Sequence, residues 1–192
     1  MKFNTEKEFQ IWLGRELVKL GFQVYTDKKI CELPVFSGDK EKPDLLVFFR
    51  RQFKENKQIE IESPFAIETK LISQSNKFSN LSHSVLQIKK YYGKMYVTDK
   101  DYPIAIANTI LCTNESIFTK NVFNWSCGSE EFNKGINWAL VRILFSLSNK
   151  SGILKFDGEH FYIEYHNSNF YLLQGGSLGY KPSQWNNNET GY

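Results

Sequence analysis

The chain is poor in the residues on which several familiar chemistries depend. Its 192 residues include only three cysteines, three histidines, two methionines and five prolines. Cys31, Cys112 and Cys127 are odd in number, far apart and without a C-x-x-C pair, which argues against a disulfide framework and gives no zinc-ligand spacing. His83, His160 and His166 are scattered, so a Ser-His or His-metal mechanism has little basis. No apolar run reaches the roughly 18 residues needed to span a bilayer. The opening MKFNTEKEF also lacks the basic and apolar regions of a secretory signal. A cytoplasmic protein without membrane association is expected. A net charge of +3 permits contact with nucleic acid but falls short of the basic footprint of a DNA-coating domain.

What is present is apolar and aromatic: 41% hydrophobic and 16% aromatic residues, enough to bury one sizeable core. Thr5 followed by Glu8 forms a capping-box pattern, and Phe9, Trp12, Leu13, Leu17 and Leu20 recur at helical spacing before Gly21. The spacing predicts a helix over 5–20. A short strand is expected at Phe22 to Tyr25 and loop composition from Lys28 to Lys42. Leu45 to Phe49 reads as a buried strand, and Ile59 and Ile61 alternate with Glu60 and Glu62 on the far side of a hairpin connection. Phe65-Ala66-Ile67 then leads into Glu68-Thr69-Lys70. Residues 73–82 are rich in Ser, Asn and Gln and read as loop. Val85, Leu86, Ile88, Tyr91 and Tyr92 suit a helix ending near Gly93, and Ile104 to Ala107 a third core strand. A long apolar helix is expected over 130–148. Alternating strands follow from Ile153 to Leu173, turning at Asp157-Gly158 and near Asn167-Ser168-Asn169. The fold class is α/β.

One constellation carries chemistry. Pro43-Asp44 enters a buried strand and Glu68-x-Lys70 leaves the next one. Antiparallel neighbours of this kind bring Asp44 close to Glu68, and the period of two puts Glu68 and Lys70 on one face. Two hard carboxylates suit Mg²⁺, with Mn²⁺ as a substitute, because such an ion keeps several waters and takes other ligands from substrate phosphate. The backbone carbonyl of Thr69 is a further candidate ligand. Lys70 would orient the attacking water or offset charge on the pentacoordinate phosphate. Phosphodiester hydrolysis is the chemistry that this set fits.

Pro43-Asp44 followed by Glu68-Thr69-Lys70 resembles the signature of the PD-(D/E)XK nuclease superfamily, over roughly residues 5–110. The resemblance implies a restriction endonuclease-like α-β-β-β-α-β core, with a mixed central sheet flanked by helices. Residues 1–110 would form this core, and residues 111–192 a helix-hairpin extension packed on it. It also implies an extra Glu on the first helix. Helical spacing puts Glu6 on the inward stripe, with Glu16 second. Gln87-Ile88-Lys89-Lys90-Tyr91 matches the Q-x-x-x-Y element of RecB-like members, which lies beside the metal site and the DNA. Lys89 and Lys90 would then track a phosphate backbone. By this analogy the protein is a Mg²⁺-dependent deoxyribonuclease, and a homodimer is admitted because many relatives cut both strands as dimers.

Plainer alternatives stay open at the level of sequence. Asp44 could be a strand-entry turn residue, Glu68 and Lys70 a solvated pair, and Gln87 and Tyr91 a packed helix face. A non-catalytic module could use a nuclease-like fold to grip nucleic acid or protein. An RNA or branched-DNA substrate is not separated from duplex DNA, because the metal cluster acts on any phosphodiester.

Overall fold

The computed structural model describes residues 3–32, 42–52, 59–61, 64–72, 77–101, 103–106, 108–118, 151–165 and 168–179. The first helix, α1 (Glu6–Lys19), starts as its capping pattern dictates. The Thr5 hydroxyl accepts from the Glu8 N–H at 3.2 Å, while Glu8 reaches back to the Asn4 N–H at 2.9 Å. The helix ends at Gly21, whose φ of +92° suits the left-handed turn after a helix C-terminus.

Eight strands form the main sheet. In spatial order they are β1 (Gln23–Thr26), β3 (Leu45–Phe48), β6 (Phe65–Lys70), β9 (Asn108–Thr113), β10 (Ser151–Phe156), β11 (Phe161–Tyr165), β12 (Ser168–Leu173) and β13 (Ser177–Gly179). The sheet is mixed: β6 to β9 and β9 to β10 are parallel, and every other neighbouring pair is antiparallel. A second sheet has the order β2 (Ile30–Glu32), β7 (Met95–Thr98), β8 (Pro103–Ala105), and β4 (Arg50–Gln52) pairs with β5 (Ile59–Ile61). The other described helices are α2 (Lys77–Tyr91) and the short α3 (Asn114–Phe118).

Each face of the sheet has its own core. Alternation in the strands sends Leu45, Val47, Phe65, Ile67, Ile110 and Cys112 toward Phe9, Leu13 and Leu17 of α1. Leu46, Phe48 and Ala66 face the opposite way, toward Tyr91 of α2 and Tyr96 and Ile104 of the small sheet. The whole of β3 is buried, as its unbroken apolar run requires. The sheet curls far enough that the turn before its last strand meets the chain entering its first. The Gly176 N–H donates to the Leu20 carbonyl at 2.8 Å, and a Cβ on Gly176 would collide with the Gly21 carbonyl.

Several expectations need correction. The stretch read as loop over 73–82 is already helical from Lys77, because packing of α2 on the sheet overrides its polar composition. The strand expected at Ile104 to Ala107 is β8, which belongs to the small sheet; the strand that joins the main sheet beside β6 is β9. The supposed loop from Lys28 onward contains β2. In the tail, the turn expected at Asp157-Gly158 does form, closed by the Asp157 carboxylate, which accepts from the N–H groups of Glu159 and His160 at 3.0 and 2.8 Å. Residue 110 lies inside β9, and the main sheet runs continuously across it. The helix expected over 130–148 lies outside the described residues. Among the described residues no helix is long and apolar enough to cross a membrane.

Candidate active site

The antiparallel register sets Leu45 opposite Ile67, so one step further along brings Asp44 level with Glu68. Asp44 is held by its neighbours rather than by solvent. Its Oδ2 accepts from the Thr69 N–H at 2.7 Å and from the Thr69 hydroxyl at 2.6 Å. Its backbone carbonyl accepts from the Gln10 side-chain amide at 2.8 Å. Thr69, expected to offer its carbonyl to a metal, thus uses its N–H and hydroxyl to orient Asp44.

Glu68 is 2% exposed, which removes the reading of Glu68 and Lys70 as a solvated pair. Its Oε1 lies 2.8 Å from Lys70 Nζ, and its Oε2 accepts from the Tyr91 hydroxyl at 2.8 Å. Lys70 Nζ bridges onward to Glu6 Oε1 at 3.1 Å, and Glu6 Oε2 makes a long 3.4 Å contact to the Leu71 N–H. Glu6, in the first turn of α1, is therefore brought to the cluster. Glu16 is not: its carboxylate pairs with Lys19 at 2.7 Å on the same helix.

The electrostatics follow from burial and from unequal charge counts. Desolvation and the nearby Asp44 push the Glu68 carboxyl up to about 7, against the opposing pull of Lys70 and Tyr91. Burial also raises Asp44, although the Thr69 hydrogen bonds and Lys70 pull it down. Burial works against the Lys70 ammonium, yet Glu68 and Glu6 outweigh it and hold the group above its ordinary range. Burial and Glu68 push the Tyr91 phenol upward, so it stays a protonated donor. With all three carboxyl groups ionised, the cluster and its one ammonium would carry two net negative charges, which one divalent cation would balance.

Among the described residues no group of three or more His, Cys, Asp or Glu side chains is placed to hold a metal ion. Mg²⁺ does not require one, since it is commonly held by one or two carboxylates together with waters and substrate phosphates. The donors here fit that pattern: both are hard oxygens, and Asp44 Oδ1 carries no hydrogen bond among the described residues. Of the α2 residues singled out from sequence, Tyr91 reaches the cluster. Gln87, one turn earlier, has a buried Oε1 without a hydrogen-bond partner among the described residues. Lys89 and Lys90 sit in the last turn of the same helix.

Sequence reasoning missed two supports. Gln10 is buried and tied to the Asp44 carbonyl; its signal was a polar residue on the inward stripe, one turn after Glu6. Asn114 clamps the chain leaving β6: its Oδ1 accepts from the Ile72 N–H at 2.6 Å and its Nδ2 donates to the Ile72 carbonyl at 3.2 Å. No family model matches this chain, and no curated protein or solved structure shows significant similarity to it.

Proposed function

We propose that this chain is a divalent-metal-dependent nuclease that hydrolyses phosphodiester bonds in DNA, acting as an endonuclease. The observation that carries the reading is two hydrogen-bonded sets set side by side by the strand register, Asp44 with Thr69 and Glu68 with Lys70, Glu6 and Tyr91, drawn from two helices, β6 and the bend that enters β3. An isolated ion pair needs no second buried carboxylate beside it, whereas a Mg²⁺ site commonly uses one or two. The path α1, β1, β3, β6, α2, β9, with β9 parallel to β6, supports the PD-(D/E)XK arrangement that the sequence resembles.

Asp44 and Glu68 would hold Mg²⁺, with the Thr69 carbonyl as a further ligand. The bound ion supplies Lewis acidity at the scissile phosphate and lowers the pKa of a coordinated water. Lys70, fixed between Glu68 and Glu6, orients the attacking water and offsets charge building on the phosphate oxygens. Tyr91 fixes the Glu68 rotamer, and Gln87, Lys89 and Lys90 on the same helix face the nucleic acid. DNA is the substrate by likeness of motif.

The test is incubation of the protein with linear, circular and single-stranded DNA in Mg²⁺, Mn²⁺ or EDTA, alongside Glu68→Ala and Lys70→Ala variants. Metal-dependent cleavage that both variants lose is the expected result, with nicking of the circle marking endonuclease action. Binding without cleavage under every condition would sink the enzyme reading in favour of a binding module.

A further inference from the structure

We infer that Gln10 is a positioning residue for the Asp44 carboxylate, an inference that rests on the nuclease reading above. Gln10 lies between Phe9 and Leu13, on the helix face that α1 buries, and is itself 5% exposed. A buried amide is unfavourable unless its donor and acceptor are both used. Both are used here: Nε2 donates to the Asp44 carbonyl at 2.8 Å, and Oε1 accepts from Lys7 Nζ at 2.7 Å. The chemistry fixes which way the amide points. An ammonium can only donate and a carbonyl can only accept, so the oxygen must face Lys7 and the nitrogen Asp44.

The consequence is that Asp44 is anchored from two elements at once. Its main chain is fastened to α1 through Gln10, and its Oδ2 to β6 through the Thr69 N–H and hydroxyl. With both points fixed, Oδ1 is the oxygen left for a cation. One turn earlier on the same helix, Glu6 bonds Lys70. A single helix therefore sets both the metal-binding aspartate and the lysine beside it, and Gln10 is the residue that ties α1 to the aspartate. Groups that orient a metal ligand typically change metal affinity or activity by about 10- to 100-fold when removed.

Two variants of the full chain test this. Gln10→Met keeps the volume and removes the donor; Gln10→Glu keeps the size and the Lys7 partner but turns an acceptor toward the Asp44 carbonyl. The readouts are Mn²⁺ affinity by titration calorimetry, kcat and KM on DNA, and the metal-free melting temperature. Both variants are expected to bind Mn²⁺ about 10- to 100-fold more weakly and to lose kcat by a similar factor, with KM for DNA unchanged. Should Gln10→Met fail to fold, Gln10→Glu carries the test alone. A lower melting temperature with wild-type Mn²⁺ affinity and kcat would overturn the inference and leave Gln10 as a staple between helix and strand. A wild-type protein that neither binds Mn²⁺ nor cleaves DNA would instead bring down the nuclease reading, and this inference with it.

Discussion

Leu13 on α1 and Glu68 at the end of β6 are buried almost equally, at 0% and 2% exposed, and they serve opposite faces of one sheet. Their energetics differ in sign. Burying Leu13 among Leu45, Ile67 and Phe9 stabilises the fold by roughly 1.5–3 kcal/mol. Burying Glu68 beside Asp44 is unfavourable for its charged form, which is why its carboxyl rises to about 7. One face of the sheet holds the fold together, and one end of it holds a cluster that the metal-free fold tolerates at some expense. On the proposed reading, the cation it would bind accounts for such a cluster.

The sharpest way to break this comparison is to remove charge at the acidic end. On the proposed reading, Glu68→Gln is expected to lower cleavage by on the order of a thousandfold, because the proposed metal ligand and the partner of Lys70 are lost together. It should also raise the metal-free melting temperature at pH 8, because the repulsion with Asp44 disappears. Activity loss accompanied by a lower melting temperature would mean that Glu68 is a structural group after all. The opposite change is Leu13→Ala, which leaves the cluster intact and opens a cavity under α1. Urea unfolding should show a loss of about 2–5 kcal/mol, with residual cleavage in proportion to the folded fraction.

Proton linkage gives a third contrast. The folded Glu68 carboxyl titrates at about 7 against an ordinary 4.5, so the folded state holds the proton more tightly than the unfolded chain. The stabilisation is fully present below pH 4.5 and is lost as the pH rises to 7, by roughly 3 kcal/mol. Asp44, also raised by burial, contributes with the same sign. In EDTA the melting temperature should therefore carry a falling component between pH 4.5 and 7 that Glu68→Gln lacks. In saturating Mn²⁺ the component should reverse, because a cation selects the ionised carboxylates. An identical pH profile for wild type and variant in EDTA would show that the Glu68 environment is not as described.

Which parts of this were legible in the sequence follows the strength of the local signal. The Thr5 and Glu8 cap, the apolar stripe of α1 and the run Leu45 to Phe48 each encode their structure within a few residues. So did Asp44, Glu68 and Lys70, because strand register converts their spacing into proximity. The start of α2 did not, since Ser79, Asn80 and Ser82 belong to residue types that favour caps and turns over helix interiors. Strand β9 was hidden because Asn108-Thr109 and Cys112-Thr113 dilute its apolar centre, while the cleaner alternation of Ile104 to Ile106 marks an element of the small sheet. Gln10 was passed over because it is neither acid, base nor ligand, and its one mark was a polar side chain on the inward stripe of α1.

The smallest expected effect tests how tightly the two regions are joined. Tyr91 is packed among the apolar residues of the second core, with Ala66 and Tyr96, yet its hydroxyl donates to Glu68 at 2.8 Å. It belongs to both sides of the comparison through different atoms. Tyr91→Phe keeps the ring and deletes only that donor, so the apolar packing should be nearly undisturbed, while the buried carboxylate oxygen left without its donor should lower stability by about 1–3 kcal/mol. Glu68 loses the bond that fixes its rotamer, and cleavage should fall by roughly tenfold through weaker Mn²⁺ binding. The removed bond had favoured the ionised carboxylate, so the Glu68 carboxyl should titrate at a higher pH in the variant, and the rise of activity with pH should move the same way. A shift in that profile in a variant that still folds separates a residue that tunes the site from one that merely fills the core; Tyr91→Phe with wild-type cleavage and an unshifted profile would assign Tyr91 to packing alone.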